Sequence, residues 1–287
     1  MLPDLSVYEK FQTVTQGQIR YYELGDGPPL LLLHGMGVSN SADTFCFMLE
    51  SLAEKRHVFA LDALGFGGST RALANGPTFD VIVDGLREFM DRKAIAQIDV
   101  VAHSAGGWFT GILAYESPNR VGKLVWIGAA GMNVEAIASV AGYQAPTVES
   151  ITADNLASVY PGSALTSEMA AALAELMLAH ATAEGAFDGL KPLVGQMKTP
   201  AVRRSYLLQR RLAHIRNPIL LMWGEREMME PYPTWTEEWT ATGHDPGKSA
   251  KPWVSPNMRF ELVPGATHYV HWEQPALVLK LIDEFLG

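Results

Sequence analysis

The chain has 287 residues, 48% hydrophobic and 18% charged, a balance that excludes a disordered or peptide-sized protein. Its 22 Lys+Arg stand against 31 Asp+Glu, and a formal charge of −9 is not that of a nucleic-acid binder or of a polybasic membrane anchor. The single cysteine, Cys46, excludes an intrachain disulfide framework and a cysteine metal cluster.

The N-terminal Met1-Leu2-Pro3-Asp4 lacks the basic start and apolar run of a signal peptide, and no apolar run nears the roughly 20 residues that span a bilayer. A soluble, cytoplasmic protein is expected. Phe11 to Thr15 and Ile19 to Leu24, joined around Gln16-Gly17, have the pattern of an antiparallel pair at a sheet edge. Leu30 to Leu33, Val58 to Leu61, Ile98 to Ala102 and Leu124 to Ile127 are too apolar for a strand with a wet face. Between them, Phe45, Met48, Leu49 and Leu52, then Phe79, Ile82, Val83, Leu86 and Phe89, follow helical spacing. Doubly buried strands separated by helices predict a parallel sheet covered on both faces.

From about Met132 to Arg216 the strand pattern gives way to helices. Met169, Leu173, Leu176, Met177 and His180 share one stripe that stops near Gly185, and Pro161-Gly162, Lys191-Pro192 and Thr199-Pro200 punctuate the others. Arg203, Arg204, Arg210, Arg211 and Arg216 are spaced like a helix surface, which suits a solvated face, ion pairs that anchor the block, or a clamp for a substrate carboxylate. Strands resume at Pro218 to Trp223 and Arg259 to Val263, before a last helix through Leu277, Leu281, Ile282 and Phe285. The helical block is therefore an insertion. The expected organisation is a core in two parts, residues 1–131 and 217–287, with a helical unit at 132–216. Residues 231–256 carry Trp235, Trp239 and Trp253 among prolines without periodicity, either as a loop packed on the core or as a wall of a binding site.

Chemistry concentrates where the strand Ile98 to Ala102 runs into His103-Ser104-Ala105-Gly106-Gly107-Trp108 and a helix. A serine on so sharp a turn needs small residues two before and two after it, and Ala102 and Gly106 supply them; the usual signature is G-x-S-x-G. A turn without a catalytic role is the plainer alternative. As a nucleophile Ser104 needs a base and the base an orienting acid. His268, after the last strand, is the candidate base, while the neighbouring His271 falls toward the Glu273-Gln274-Pro275 helix start, where packing or capping suits it better. Glu227, after the strand ending at Trp223, is the candidate acid, with Glu225, Glu230 and Glu135 as alternatives. The turn His34-Gly35-Met36-Gly37 can offer the Met36 backbone N–H, and the helix start the Ala105 N–H, to a developing oxyanion.

In this order the residues resemble the α/β-hydrolase family across nearly the whole chain: His34-Gly35, Asp62-x-x-Gly65-x-Gly67-x-Ser69, the Ser104 elbow, Gly224-x-x-Glu227 and His268. The resemblance implies a mostly parallel eight-stranded sheet, a structural role for the Asp62 segment, and a helical cap inserted after the sixth strand. Within the family the layout is similar to the meta-cleavage-product hydrolases, which cut carbon–carbon bonds in ring-opened aromatic dienoates. Shared are Arg120-Val121-Gly122-Lys123-Leu124, Gly128-Ala129-Ala130-Gly131 and an aromatic residue, Tyr269, after the histidine. Two positions depart: His103 stands where that subgroup usually has Asn, and Gly35-Met36-Gly37-Val38 replaces its polyglycine oxyanion loop. Ser104 separates the chain from dehalogenases and epoxide hydrolases, which carry Asp there. His103-Ser104 also resembles cofactor-free dioxygenases of this fold, but Gly128-Ala129-Ala130 lacks their acid.

The expectation is a serine hydrolase cleaving an ester of a small hydrophobic or aromatic compound through an acyl-enzyme, with Ser104, His268 and Glu227 as the triad. His103, Trp108 and Tyr269 are expected to contact substrate. Carbon–carbon hydrolysis of ring-fission products is the alternative, and a cofactor-free dioxygenase or a ligand sensor without turnover are further ones. No metal and no cofactor are expected. The partners are a small-molecule substrate and, optionally, a second copy in a homodimer.

Overall fold

Four consecutive leucines, Leu30 to Leu33, have no polar side to turn outward, and all four are buried. The computed structural model describes residues 2–132, 140, 142–227, 229 and 257–287. In it these leucines belong to β3 (Pro29–Leu33), within an eight-stranded sheet formed by the described residues. The other strands are β1 (Glu9–Val14), β2 (Gly17–Leu24), β4 (His57–Leu61), β5 (Ile98–His103), β6 (Val121–Ile127), β7 (Ile219–Gly224) and β8 (Met258–Val263), ordered β1-β2-β4-β3-β5-β6-β7-β8. β1 pairs with β2 and β2 with β4 antiparallel, and the remaining pairs are parallel.

Leu30 to Leu33 lie beside Val58 to Leu61 on one side and Asp99 to Ala102 on the other. The strand order therefore reverses across β3, and the C-terminal ends of β3 and β5 open the crevice where ligands bind in open α/β sheets.

Helices α1 (Leu49–Ala53), α2 (Phe79–Arg92) and α3 (Ala105–Glu116) cross between core strands. The helical spacing from Phe45 to Leu52 becomes a 3-10 turn, Ala42–Phe45, and one turn of helix. The cause lies in side-chain anchors: the Ala42 N–H bonds Asp62 at 2.6 Å, while Asp43 takes Arg20 at 3.1 Å and the Ser41 hydroxyl at 2.6 Å. Asp62, fully buried, also takes Arg20 and the Gly68 N–H, so it ties three segments together and lies in the core network.

Between β6 and β7 the chain forms α4 (Val148–Ala157), α5 (Ser167–Ala181), α6 (Ala186–Gly189), α7 (Lys191–Lys198) and α8 (Pro200–Tyr206). Thr147 and Thr166 cap α4 and α5 with their hydroxyls, and Pro200 occupies the first turn of α8, where its missing N–H costs nothing. The α5 stripe buries Leu173 and Met177, and the helix stops at Ala181 with Thr182 as its cap; Gly185 instead opens α6. This cap shares two buried apolar clusters with the core and is also joined to it by polar ties. The Leu208 N–H bonds Gly131 O at 2.8 Å, the Ala164 N–H bonds Glu273 O at 2.6 Å, and His180 Nε2 meets Asp43 Oδ2 at 2.7 Å. The chain closes with α9 (Val270–Glu273) and α10 (Pro275–Leu286). The tryptophan-bearing segment 231–256 lies outside the described residues. Among the described residues no helix is long and apolar enough to cross a membrane.

Candidate active site

Ser104 has φ 52° and ψ −121°, a backbone conformation that costs a residue with a side chain of order 1–3 kcal/mol. The surroundings hold it there. Its N–H bonds Ile127 O at 2.9 Å, and its carbonyl accepts from the Gly107 and Ala130 N–H groups, each at 3.0 Å. The turn also brings Gly106 onto the end of β3, where any Cβ would press into the carbonyl oxygens of Leu33 and His34. The small residue after the serine is thus a steric requirement of the elbow against β3.

His268 sits in the loop after β8, and its Nδ1 lies 2.6 Å from Glu227 Oε2. A carboxylate only accepts, so Nδ1 carries the proton and, in the neutral ring, Nε2 keeps the lone pair that a proton acceptor needs. Both side chains are nearly or fully shielded from solvent, at 6% and 0% exposure. Glu227 follows β7 through a turn held by Glu225 N–H to Val263 O, Arg226 N–H to Ala266 O and Glu227 N–H to Gly224 O. Of the alternative acids, Glu225 bonds the Gly265 N–H at the exposed surface, while Glu135 and Glu230 lie outside the described residues. Gly128, at φ 53°, leaves room for the pair: a Cβ there would stand 3.2 Å from His268 Nδ1 and 3.4 Å from Glu227 Oε2.

A cavity at the strand ends is lined by Ser104, Ala105, His268, Met36 and Trp108, with Tyr269 and Arg203 among the remaining wall residues. Met36 and Ala105 therefore flank the serine from β3 and from the start of α3. The loop bearing Met36 is held by His34, whose Nδ1 donates to Gly35 O at 2.7 Å while Nε2 accepts the Ala63 N–H at 3.1 Å. Burial lowers the His34 pKa, which suits a ring that must keep one nitrogen unprotonated. Asn40, also in the wall and 5% exposed, is a polar lining residue that sequence reasoning missed; nothing in its local pattern marks it. Among the described residues no cluster of His, Cys, Asp and Glu could hold a metal ion.

Two expectations about the wall change. His103 was expected to touch substrate, but its ring is 1% exposed and absent from the cavity lining; it turns behind Ser104 and donates from Nε2 to His268 O at 3.0 Å. Among the arginines, Arg203 is 3% exposed and lines the cavity, whereas Arg204 and Arg210 are exposed. Arg203 stacks over the Trp108 ring at 5.0 Å, and the Trp108 indole N–H donates to Tyr206 O at 2.8 Å. Tyr206 in turn bonds both Asp80 oxygens at 2.9 Å and stacks on Phe79. Trp108 is thus both wall and anchor of α8. A second missed residue is Glu273, fully buried, whose carboxylate accepts the Thr267 N–H at 2.6 Å and the Thr267 hydroxyl and braces the loop that carries His268.

The chain is similar to known hydrolases. Over 285 residues, 95% of this chain and 92% of the other, the chain is 27% identical to a 2-hydroxy-6-oxononadienedioate/2-hydroxy-6-oxononatrienedioate hydrolase of Paraburkholderia phymatum. It is 36% identical over 126 residues, 42% of this chain and 44% of the other, to a 2-hydroxymuconate semialdehyde hydrolase of Pseudomonas sp. strain CF600. A serine hydrolase of the polyaromatic-hydrocarbon-degrading bacterium Cycloclasticus zankles superposes with a TM-score of 0.80 at 20% identity, covering 97% of each chain. Residues 28–275 match the family model described as the alpha/beta hydrolase fold. Sheet, elbow and family model converge: the chain belongs to the alpha/beta hydrolase fold family and is a hydrolase of that family.

Proposed function

We propose that the protein hydrolyses a carbon–carbon bond in a ring-opened, carboxylate-bearing 2-hydroxy-6-oxo-dienoate. Ser104 is the nucleophile, His268 the base, Glu227 the orienting acid, and the Met36 and Ala105 N–H groups form the oxyanion site. The observation that carries this reading is the buried guanidinium of Arg203 in the same wall as Ser104 and His268. A guanidinium offers its donors in a planar fork that matches a carboxylate. The names of the full-length relatives point to the same substrate class.

The chemistry follows from the bond to be broken. The pair released from C5–C6 needs an electron sink, so the 2-enol first becomes a ketone, its proton moving from the C2 oxygen to C5. Ser104 Oγ then adds to the C6 carbonyl while His268 Nε2 takes its proton, and the negative charge collects on the C6 oxygen. Collapse breaks C5–C6, and the pair passes through C3=C4 onto the C2 oxygen, which the imidazolium proton neutralises. Water, deprotonated by His268, then cleaves the Ser104 ester and releases a carboxylic acid. Glu227 keeps Nδ1–H in place and stabilises the imidazolium in each half of the cycle.

The same serine machinery cleaves esters, so the test is a comparison of kcat/KM for ring-fission dienoates against short-chain and aromatic esters. The expected result is a strong preference for the dienoates. Equal or better turnover of neutral esters would replace this reading with that of a carboxylesterase.

A further inference from the structure

His103 adjoins Ser104 in the chain yet adds no surface to the cavity, and its ring makes a hydrogen bond that crosses to another loop. The acceptor is the backbone carbonyl of His268, at 3.0 Å from Nε2. A carbonyl cannot donate, so Nε2 bears the hydrogen and Nδ1 the lone pair. Nδ1 is buried without a hydrogen-bond partner, and it faces Gly35 so closely that a Cβ at that glycine would stand 3.2 Å away. The groups around the ring are the imidazoles of His268 and His271, with centroids at 4.6 and 4.7 Å, and the Tyr269 ring at 5.2 Å, all from the loop and short helix after β8. His34, from the end of β3, adds a fourth neighbour. Burial first, then the two facing imidazoles, holds the His103 pKa well below 6.5, so the ring is a neutral group with a single donor.

This bond joins the two backbones that matter for proton transfer. Glu227 grips the His268 ring at Nδ1, which fixes its tautomer and tilt but does not set how far the His268 backbone stands from the elbow. We propose that His103 is a positioning residue: its Nε2–H, held by the residue next to the nucleophile, sets the His268 main chain so that the imidazole stays within reach of the Ser104 hydroxyl. The inference rests on the Ser104–His268 part of the proposed function and is independent of the substrate class.

The test compares H103F, H103Q and H103N in the full chain, using both p-nitrophenyl acetate and a 2-hydroxy-6-oxo-dienoate. H103F removes the donor at similar shape, and kcat is expected to fall by about 100-fold with KM within about twofold, the cost of a misplacement near 1 Å. H103Q, whose amide nitrogen reaches the Nε2 position, is expected to restore most of that loss. In proton NMR the low-field resonance of the His268 Nδ1–H should shift or broaden in H103F and return in H103Q, which a packing role alone would not produce. A kcat for H103F within about threefold of the parent, or H103Q as slow as H103F, would overturn the proposal. If H103F does not fold, H103N, too short to reach the carbonyl, is judged by the same criteria. Nitrogen-15 spectra of the parent protein decide independently: a His103 proton on Nδ1 overturns the proposal, and one on Nε2 supports it. Ester turnover without dienoate turnover would defeat only the substrate class, whereas an active S104A would remove Ser104 as nucleophile and this proposal with it, so each failure is recognisable.

Discussion

The cavity has two walls made by different means. On the sheet side, strand ends and backbone hydrogen bonds hold Ser104 in a strained conformation, and the Gly106 contact with β3 admits no larger residue. On the cap side, side chains do the holding: Arg203 is placed by the Trp108 ring, the Trp108 indole by Tyr206 O, and Tyr206 by Asp80 and Phe79. A wall built from backbone constraints tolerates little change and suits bond-making groups that need positions fixed to a fraction of an ångström. A wall built from side-chain relays can be altered one link at a time, and there substrate choice can vary while the chemistry stays intact.

Substitutions on the two walls should separate accordingly. S104A is expected to lower kcat by about a millionfold with the fold retained, measured by turnover and circular dichroism; residual activity near the parent would remove the acyl-enzyme from consideration. E227Q should cost about 10⁴-fold in kcat, because a neutral amide cannot stabilise the imidazolium. A near-normal E227Q alongside an inactive variant of another carboxylate would move the acid elsewhere. On the cap wall, R203M should raise KM for a dienoate by about 10- to 100-fold, the worth of hydrogen bonds to a charged group, and leave p-nitrophenyl acetate almost unaffected. An equal loss on both substrates would make Arg203 a structural link and erase the contrast between the walls.

The smallest expected effect concerns acid. His271 is fully buried beneath the sheet-side wall, and burial, then the nearby His268, lowers its pKa to about 3. The unfolded chain, with a pKa near 6.5, binds the proton that the folded chain refuses, so this stability is present above about pH 6.5 and is lost as pH falls toward 3. Between pH 7 and pH 5 the loss from this residue is about 2 kcal/mol. Urea melts of the parent and H271F across that range should show a shallower pH slope in the variant, and identical slopes would remove His271 as the source.

Much of the sheet was legible in the chain because its signals are local. Uninterrupted apolar runs such as Leu30 to Leu33 have no wet face, and the small residues around Ser104 answer a steric demand within a few residues of the elbow. The motif order from His34 to His268 follows the strand order, so the candidate nucleophile and base could be named from their places after β5 and β8. The helix expected from Phe45 to Leu52 came out shorter because Arg20 and Asp62, distant in sequence, pin its start.

What the amino-acid sequence determined by itself, then, was the sheet, the elbow and the residue types at its strand ends, all consequences of hydrophobic periodicity and backbone sterics that act along the chain. Tertiary structure alone decided which arginine reaches the cavity, that His103 turns away from it to the His268 carbonyl, and that Glu227 meets His268 while Glu225 faces the surface. Those outcomes depend on how side chains from separate elements converge, and spacing within one element carries no record of the neighbour it will meet.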